Sequence, residues 1–223
     1  IITDDYFYCD RTDRIRTLES TGNSLLFLRP RRFGKSLLLS MLANYYDLAK
    51  ADSFEKLFGN LLIGKNPTEL HNKYFILKWD FSRVDPLGTA KDIKRSLYNH
   101  INRTIKKFRD YYKDYPVSGM EINKDDALDS IASLVDTVSM TDYSIYLLID
   151  EYDNFANEVM MGRQNNKDDY EALVHGDGLL KTLFKTIKAS VGESLFERTF
   201  ITGVSPVVMS DITSGYNIAK NIY

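Results

Sequence analysis

Residues 24–36 read Ser24-Leu-Leu-Phe-Leu-Arg-Pro-Arg-Arg-Phe-Gly-Lys-Ser36, and their order decides the fold class. The first five are short, apolar after the opening serine and preceded by Gly22-Asn23, the pattern of a strand buried on both faces. From about Lys35 to Leu48 the apolar spacing becomes helical. Between strand and helix, Gly34, Lys35 and Ser36 match the second half of the phosphate-binding loop pattern G-x-x-x-x-G-K-S/T, with Arg29 where the first glycine would stand. Gly34 allows a tight turn whose N–H groups face phosphate oxygens. The helix that starts there adds the positive end of its dipole. Lys35 offers a point charge to the β- and γ-phosphates, and Ser36 a hydroxyl to Mg2+. Four basic residues, Arg29, Arg31, Arg32 and Lys35, lie in the loop. Arg31 and Arg32 have two readings, phosphate contact or exposure to solvent or an acidic partner, and the sequence leaves both open. Phe33 and Leu37 flank the glycine and the lysine–serine pair and join them as candidate nucleotide-site residues.

Outward from this stretch, strands and helices alternate. A strand is expected over Tyr74–Phe81, a long helix over Thr89–Tyr112, a helix over Asp125–Val138 and a strand over Tyr143–Ile149. A further helix runs through Leu179–Ile187, and a strand covers Arg198–Gly203. The alternation predicts an α/β fold with a mainly parallel sheet. No solenoid repeat or Pro/Gly-rich linker divides the chain. Gly162–Asp169, polar and without period, is expected to be a surface loop.

The second chemical signal is Leu147-Leu-Ile-Asp-Glu151, an apolar run that ends in two carboxylates. This is the make-up of a Walker B strand, with Asp150 at the carboxyl end holding Mg2+ through water and Glu151 orienting a water for attack on the γ-phosphate. Ligands of such sheets sit beyond the carboxyl ends of the strands. Asp153 reads as a helix N-terminal charge rather than a metal ligand. In NTPases with a catalytic glutamate, a strand lies between the loop strand and the acidic strand and ends in a polar sensor. Thr202 and Ser205 are the candidates here, with a plain Thr–Gly turn as the alternative. Arg198 is a candidate arginine finger for a neighbouring subunit. Tyr6, Phe7 and Tyr8 could stack on adenine, but core packing is the favoured reading. The long helix carries Lys91, Lys94, Arg95, Arg103, Lys106, Lys107, Arg109 and Lys113, most of them opposite its apolar stripe. A solvated face is favoured over a nucleic-acid surface.

Composition bounds the answer. The 223 residues are 43% hydrophobic and 27% charged, which excludes a disordered tail, a collagen-like repeat and a disulfide mini-protein. A net charge of -2 gives no whole-chain case for a nucleic-acid binder. One cysteine, Cys9, forms no intrachain disulfide and fits a reducing, cytoplasmic setting, and three scattered histidines argue against a zinc site. No apolar run approaches a membrane span, and no signal peptide is visible.

The chain resembles the AAA-ATPase-like domain family. The resemblance rests on Tyr8-Cys-Asp-Arg-Thr12, Phe27-Leu-Arg-Pro-Arg-Arg-Phe-Gly-Lys-Ser36, Trp79-Asp-Phe-Ser82, Leu148-Ile-Asp-Glu-Tyr-Asp153, Ile201-Thr-Gly-Val-Ser-Pro206 and Asp211-Ile-Thr-Ser-Gly-Tyr-Asn217. Arginine in place of the first loop glycine is part of that pattern. The resemblance implies a P-loop NTPase, an AAA-like three-layer α/β/α fold, over 1–223. In many members a restriction-endonuclease-like nuclease domain follows, so the chain is expected to be the N-terminal part of a longer protein whose C-terminal domain is its partner in the same chain.

The expected function is ATP binding with Mg2+-dependent hydrolysis that drives a change in an attached domain or partner. Lys35 and Glu151 are the catalytic candidates. Arg29, Arg31, Arg32, Phe33, Gly34, Lys35, Ser36, Leu37 and Thr202 hold nucleotide, and Ser36 and Asp150 hold Mg2+. The alternative is a non-hydrolysing nucleotide switch that regulates a nuclease-like or nucleic-acid-engaging module. A homo-oligomer is a further expected partner, and a membrane is not.

Overall fold

The computed structural model describes residues 8–154, 157, 178–192, 196–205 and 218–222. Five parallel strands form one sheet: β1 (Ser24–Leu28), β2 (Tyr74–Asp80), β3 (Ser144–Asp150), β4 (Phe196–Gly203) and β5 (Lys220–Ile222), in the spatial order β2-β3-β4-β1-β5. β4 therefore lies between the loop strand and the acidic strand, as expected. Because every strand is parallel, their carboxyl ends share one edge. Leu28 stands opposite Gly203, and Asp80 opposite Asp150.

Helices α1 (Arg14–Thr21), α2 (Lys35–Tyr46) and α3 (Phe54–Phe58) pack on one face; α4 (Ala90–Tyr111), α5 (Ala127–Ser139) and α6 (Leu179–Gly192) pack on the other. The result is a three-layer α/β/α fold of the P-loop kind. The α4–α6 face is sealed by the stripes that the sequence spacing marks: Ile93, Leu97, Ile101, Ile105 and Phe108 from α4, Ile131, Leu134 and Val138 from α5, and Leu180, Leu183, Phe184 and Ile187 from α6. Each fully buried aliphatic or aromatic side chain of this kind contributes roughly 1.5–3 kcal/mol.

The α1–α3 face differs. Tyr45, Tyr46, Tyr74 and Tyr146 are all buried there, and three of their hydroxyls have named partners. The Tyr45 hydroxyl pairs with Thr68 Oγ1 at 3.0 Å, Tyr46 donates to Glu19 at 2.9 Å and Tyr74 donates to Glu197 at 2.8 Å. A phenol buried beside apolar neighbours needs such a partner to offset its lost hydration.

Element ends follow local chemistry. α4 opens with a capping box in which Thr89 accepts from the Asp92 N–H and the Asp92 carboxylate accepts from the Thr89 N–H. α2 stops at Tyr46, two residues before the expected Leu48. Asp47 turns extended, with ψ 114°, and its side chain accepts from the Ala49 N–H to start a 3-10 turn over Leu48–Ser53. β3 continues one residue past expectation and takes in Asp150. Gly162–Asp169 lies outside the described residues.

Candidate functional site

The phosphate loop bridges the carboxyl end of β1 and the start of α2. Gly34 has φ +76° and caps α2, and its carbonyl accepts from the Leu38 N–H at 2.9 Å. An open, left-handed turn here needs glycine. Three non-glycine residues among those described have positive φ, and two belong to this site: Arg32 at 68° and Glu151 at 52°. Such backbone is uncommon for L-residues and gathers at functional sites.

Lys35 is buried, and its Nζ donates to the carbonyls of Arg29 and Pro30 at 2.8 and 3.1 Å. The ammonium is thus held inside the loop that it is expected to serve. The Arg29 guanidinium turns back over the Phe27 ring, 5.1 Å from its centroid, and donates to the Leu28 carbonyl. Arg29 therefore shapes the loop through its backbone: its carbonyl takes Lys35 and its N–H donates to Gly203 at 3.1 Å. Arg31 donates to Asn154 Oδ1 at 3.2 Å, a tie between loop and acidic segment that neither earlier reading of Arg31 contained. Arg32 is exposed. Phe33 and Leu37 expose 65% and 42% of their surface at the loop, apolar area beside the lysine and serine.

One buried carboxylate joins three elements. Asp150 accepts from Ser36 Oγ at 2.9 Å on Oδ2 and from Thr202 Oγ1 at 2.6 Å on Oδ1. Thr202 also lies 3.4 Å from the Glu151 N–H, which donates to it. The Ser36 hydroxyl and Asp150 carboxylate are hard oxygen donors on one spot, the donor chemistry of Mg2+, which keeps most of its ligands as water and phosphate. They fit that ion. Among the described residues no group of three or more His, Cys, Asp or Glu side chains is gathered for a metal, so an all-protein cage is not what this site offers.

Glu151 is half-buried at the end of β3. Burial pushes its carboxyl above the ordinary range, and the charges of Asp150 and Asp80 add to the effect while Lys35 and Arg31 oppose it. A carboxylate moved toward neutrality is a better proton acceptor at physiological pH.

Several expectations change. Asp153 stands at a helix start, as expected, but is buried and accepts from the Val204 and Ser205 N–H groups at 2.9 and 2.6 Å, so it also fixes the chain beyond β4. Ser205 takes part through its backbone, its carbonyl accepting from the Tyr152 hydroxyl at 2.5 Å. Arg198 is not placed as a finger for another subunit. It is buried within β4, opposite Tyr146, beside Tyr46 and Tyr74. Four residues separate it from Thr202, roughly 13 Å of strand at ~3.3 Å per residue. The Tyr8 hydroxyl points to Met41 Sδ at 3.5 Å, which is packing on α2; Tyr6, Phe7 and His175 lie outside the described residues.

Asp80 is the site residue that pattern reading missed. It ends β2 in register with Asp150, accepts from Ser82 and from Arg83 Nε at 2.9 Å, and its N–H donates to His100 Nε2 at 3.4 Å. The Trp79-Asp-Phe-Ser82 string was its one sequence signal.

Comparison with known proteins shows the family. The profile of the AAA-ATPase-like family, described as a predicted AAA-ATPase, matches residues 1–213. The chain belongs to the AAA-ATPase-like family. As a member, it is an ATPase-like domain of the nucleotide-binding kind. An uncharacterized protein in the vnfD 5' region of Azotobacter chroococcum mcd 1 is 36% identical over 84 residues. That match covers 38% of this AAA-ATPase-like chain and 13% of the relative. No helix among the described residues is long and apolar enough to cross a membrane.

Proposed function

We propose that the chain binds ATP with Mg2+ and hydrolyses it, with turnover coupled to an attached domain or partner. The observation that carries the reading is the Asp150 carboxylate, bonded on one oxygen to the loop hydroxyl of Ser36 and on the other to Thr202, with Glu151 next in the chain. Lys35 and the N–H groups around Gly34 receive the phosphates. Ser36 and Asp150 hold Mg2+, which supplies charge neutralisation at the phosphate oxygens. Glu151 takes the proton of the attacking water. Thr202 orients Asp150 and ties β4 to the acidic strand end. Arg31 and Arg32 bring positive charge to the rim, and Phe33 and Leu37 offer apolar surface to the base.

Calorimetric titration of Mg-ATP into the native chain and into Lys35→Ala tests the binding step. Saturable binding by the native chain, weakened tenfold or more by the substitution, is expected. Equal binding by both proteins, or none by the native chain, overturns the assignment of the loop.

A further inference from the structure

A groove of about 570 Å3 opens beside the carboxyl end of β2, between the 3-10 turn at Phe81–Arg83 and α4, and no residue of the phosphate loop lines it. Arg83, Arg95 and Arg103 line it, together with Ser96, Asn99 and His100. A volume of this size takes a ligand of nucleotide dimensions.

The lining is rich in donors. Each guanidinium carries five N–H groups. Arg83 spends its Nε on Asp80 at 2.9 Å, and Arg95 one Nη2 on Asp92 at 3.1 Å. Arg103 makes no ion pair among the described residues. His100 accepts from the Asp80 N–H on Nε2, which leaves the hydrogen on Nδ1 as a further donor. Two carboxylates, Asp85 and Asp92, also line the groove, and both are bonded locally. Asp92 takes both the N–H and the hydroxyl of Thr89, and Asp85 takes the Leu87 N–H.

The row also repeats. Arg95, Asn99, Arg103 and Lys107 recur at every fourth position of α4, so their side chains leave the same face about 6 Å apart along the axis. Guanidinium groups suit the tetrahedral, multiply accepting oxygens of phosphate. We infer that this groove is a second anion site that binds phosphate esters, supplied either by a nucleic-acid backbone or by a free nucleotide. It adjoins the candidate site through Asp80, but no phosphate-loop residue lines it, so it stands whether or not that loop binds ATP.

The test uses the full chain carrying Lys35→Ala, so that the phosphate loop does not capture the probe. Fluorescence anisotropy follows a labelled single-stranded oligonucleotide in one arm and labelled AMP in the other, across a salt series. With three cations engaged, a backbone ligand gives a log–log salt slope near -2, at about 0.7 per phosphate. Arg103→Ala lowers affinity roughly tenfold and makes the slope shallower by about 0.7, while Arg103→Lys restores the slope. Binding in the oligonucleotide arm alone assigns the ligand to a nucleic-acid strand. Equal binding of AMP, with a shallow salt dependence, assigns it to a free nucleotide. Binding that ignores Arg103→Ala, or none in either arm while circular dichroism shows the fold intact, overturns the site.

Discussion

Replacing Thr202 with valine keeps the shape of a fully buried side chain and removes one hydroxyl. That hydroxyl donates to Asp150 Oδ1 at 2.6 Å. A hydrogen bond to a charged acceptor contributes about 1.5–3 kcal/mol. Thr202 is 0% exposed and Asp150 only 5%, so water does not readily replace the lost donor, and the upper half of that range applies. The Ser36 bond on Oδ2 survives and keeps the loss from being larger. The expected destabilisation is about 2.5 kcal/mol, or roughly 5–10 °C in Tm for a domain of this size. The assay is urea unfolding followed by the fluorescence of Trp79, the one tryptophan, which is buried at the end of β2. Thr202→Ser keeps the hydroxyl and gives up a methyl, so it should retain most of what valine loses. If the valine variant unfolds with the native chain, or together with the serine variant, the bond to Asp150 does not hold this edge of the sheet.

Three other outcomes follow from the site. Glu151→Gln should leave Mg-ATP affinity within a few fold and slow turnover a hundredfold or more in a phosphate-release assay, the usual worth of a positioned base; a native rate would show that another group takes the proton. Asp80→Asn removes a charge that helps hold the Glu151 carboxyl above its ordinary range. Because a base works when deprotonated, the acid limb of the kcat–pH profile should move to lower pH, and a limb that stays or rises would refute the coupling. In Gly203→Ala the new methyl would meet Tyr152 Cε1 at 2.4 Å and Asp153 Oδ1 at 2.8 Å. Both side chains are tied to the Val204–Ser205 backbone, so about 1–3 kcal/mol of stability should be lost in thermal unfolding, an outcome that an unchanged Tm would contradict.

The sheet and its chemical edge were legible because their signals are local. Apolar runs at Ser24–Leu28 and Tyr143–Ile149 read as buried strands, and the Gly34, Lys35 and Asp150 chemistry sits at their ends. What stayed hidden depends on register or on weak pattern. Asp80 matters because it pairs across from Asp150, a relation between residues far apart in the chain. Asp153 resembles any helix-start acid until its two N–H partners are placed. Arg198 read as the first residue of a strand and a free finger, yet the strand begins two residues earlier and buries it. α1 carries only Ile15 and Leu18 as apolar contacts, and β5 is three residues with no alternation, so neither has a period to read.

The unlike chemistry of the two sheet faces also sets where the molecule can give. On the α1–α3 face the phenol hydroxyls tie Tyr45 of α2 to Thr68, Tyr46 of α2 to Glu19 of α1 and Tyr74 of β2 to Glu197 of β4, and directional bonds of that kind resist sliding. Under α5 and α6 the contact is aliphatic and aromatic, with ridges that can shift by fractions of an ångström at little penalty. A displacement of α2 would therefore carry α1 with it through the Tyr46–Glu19 bond, as two parts on one key.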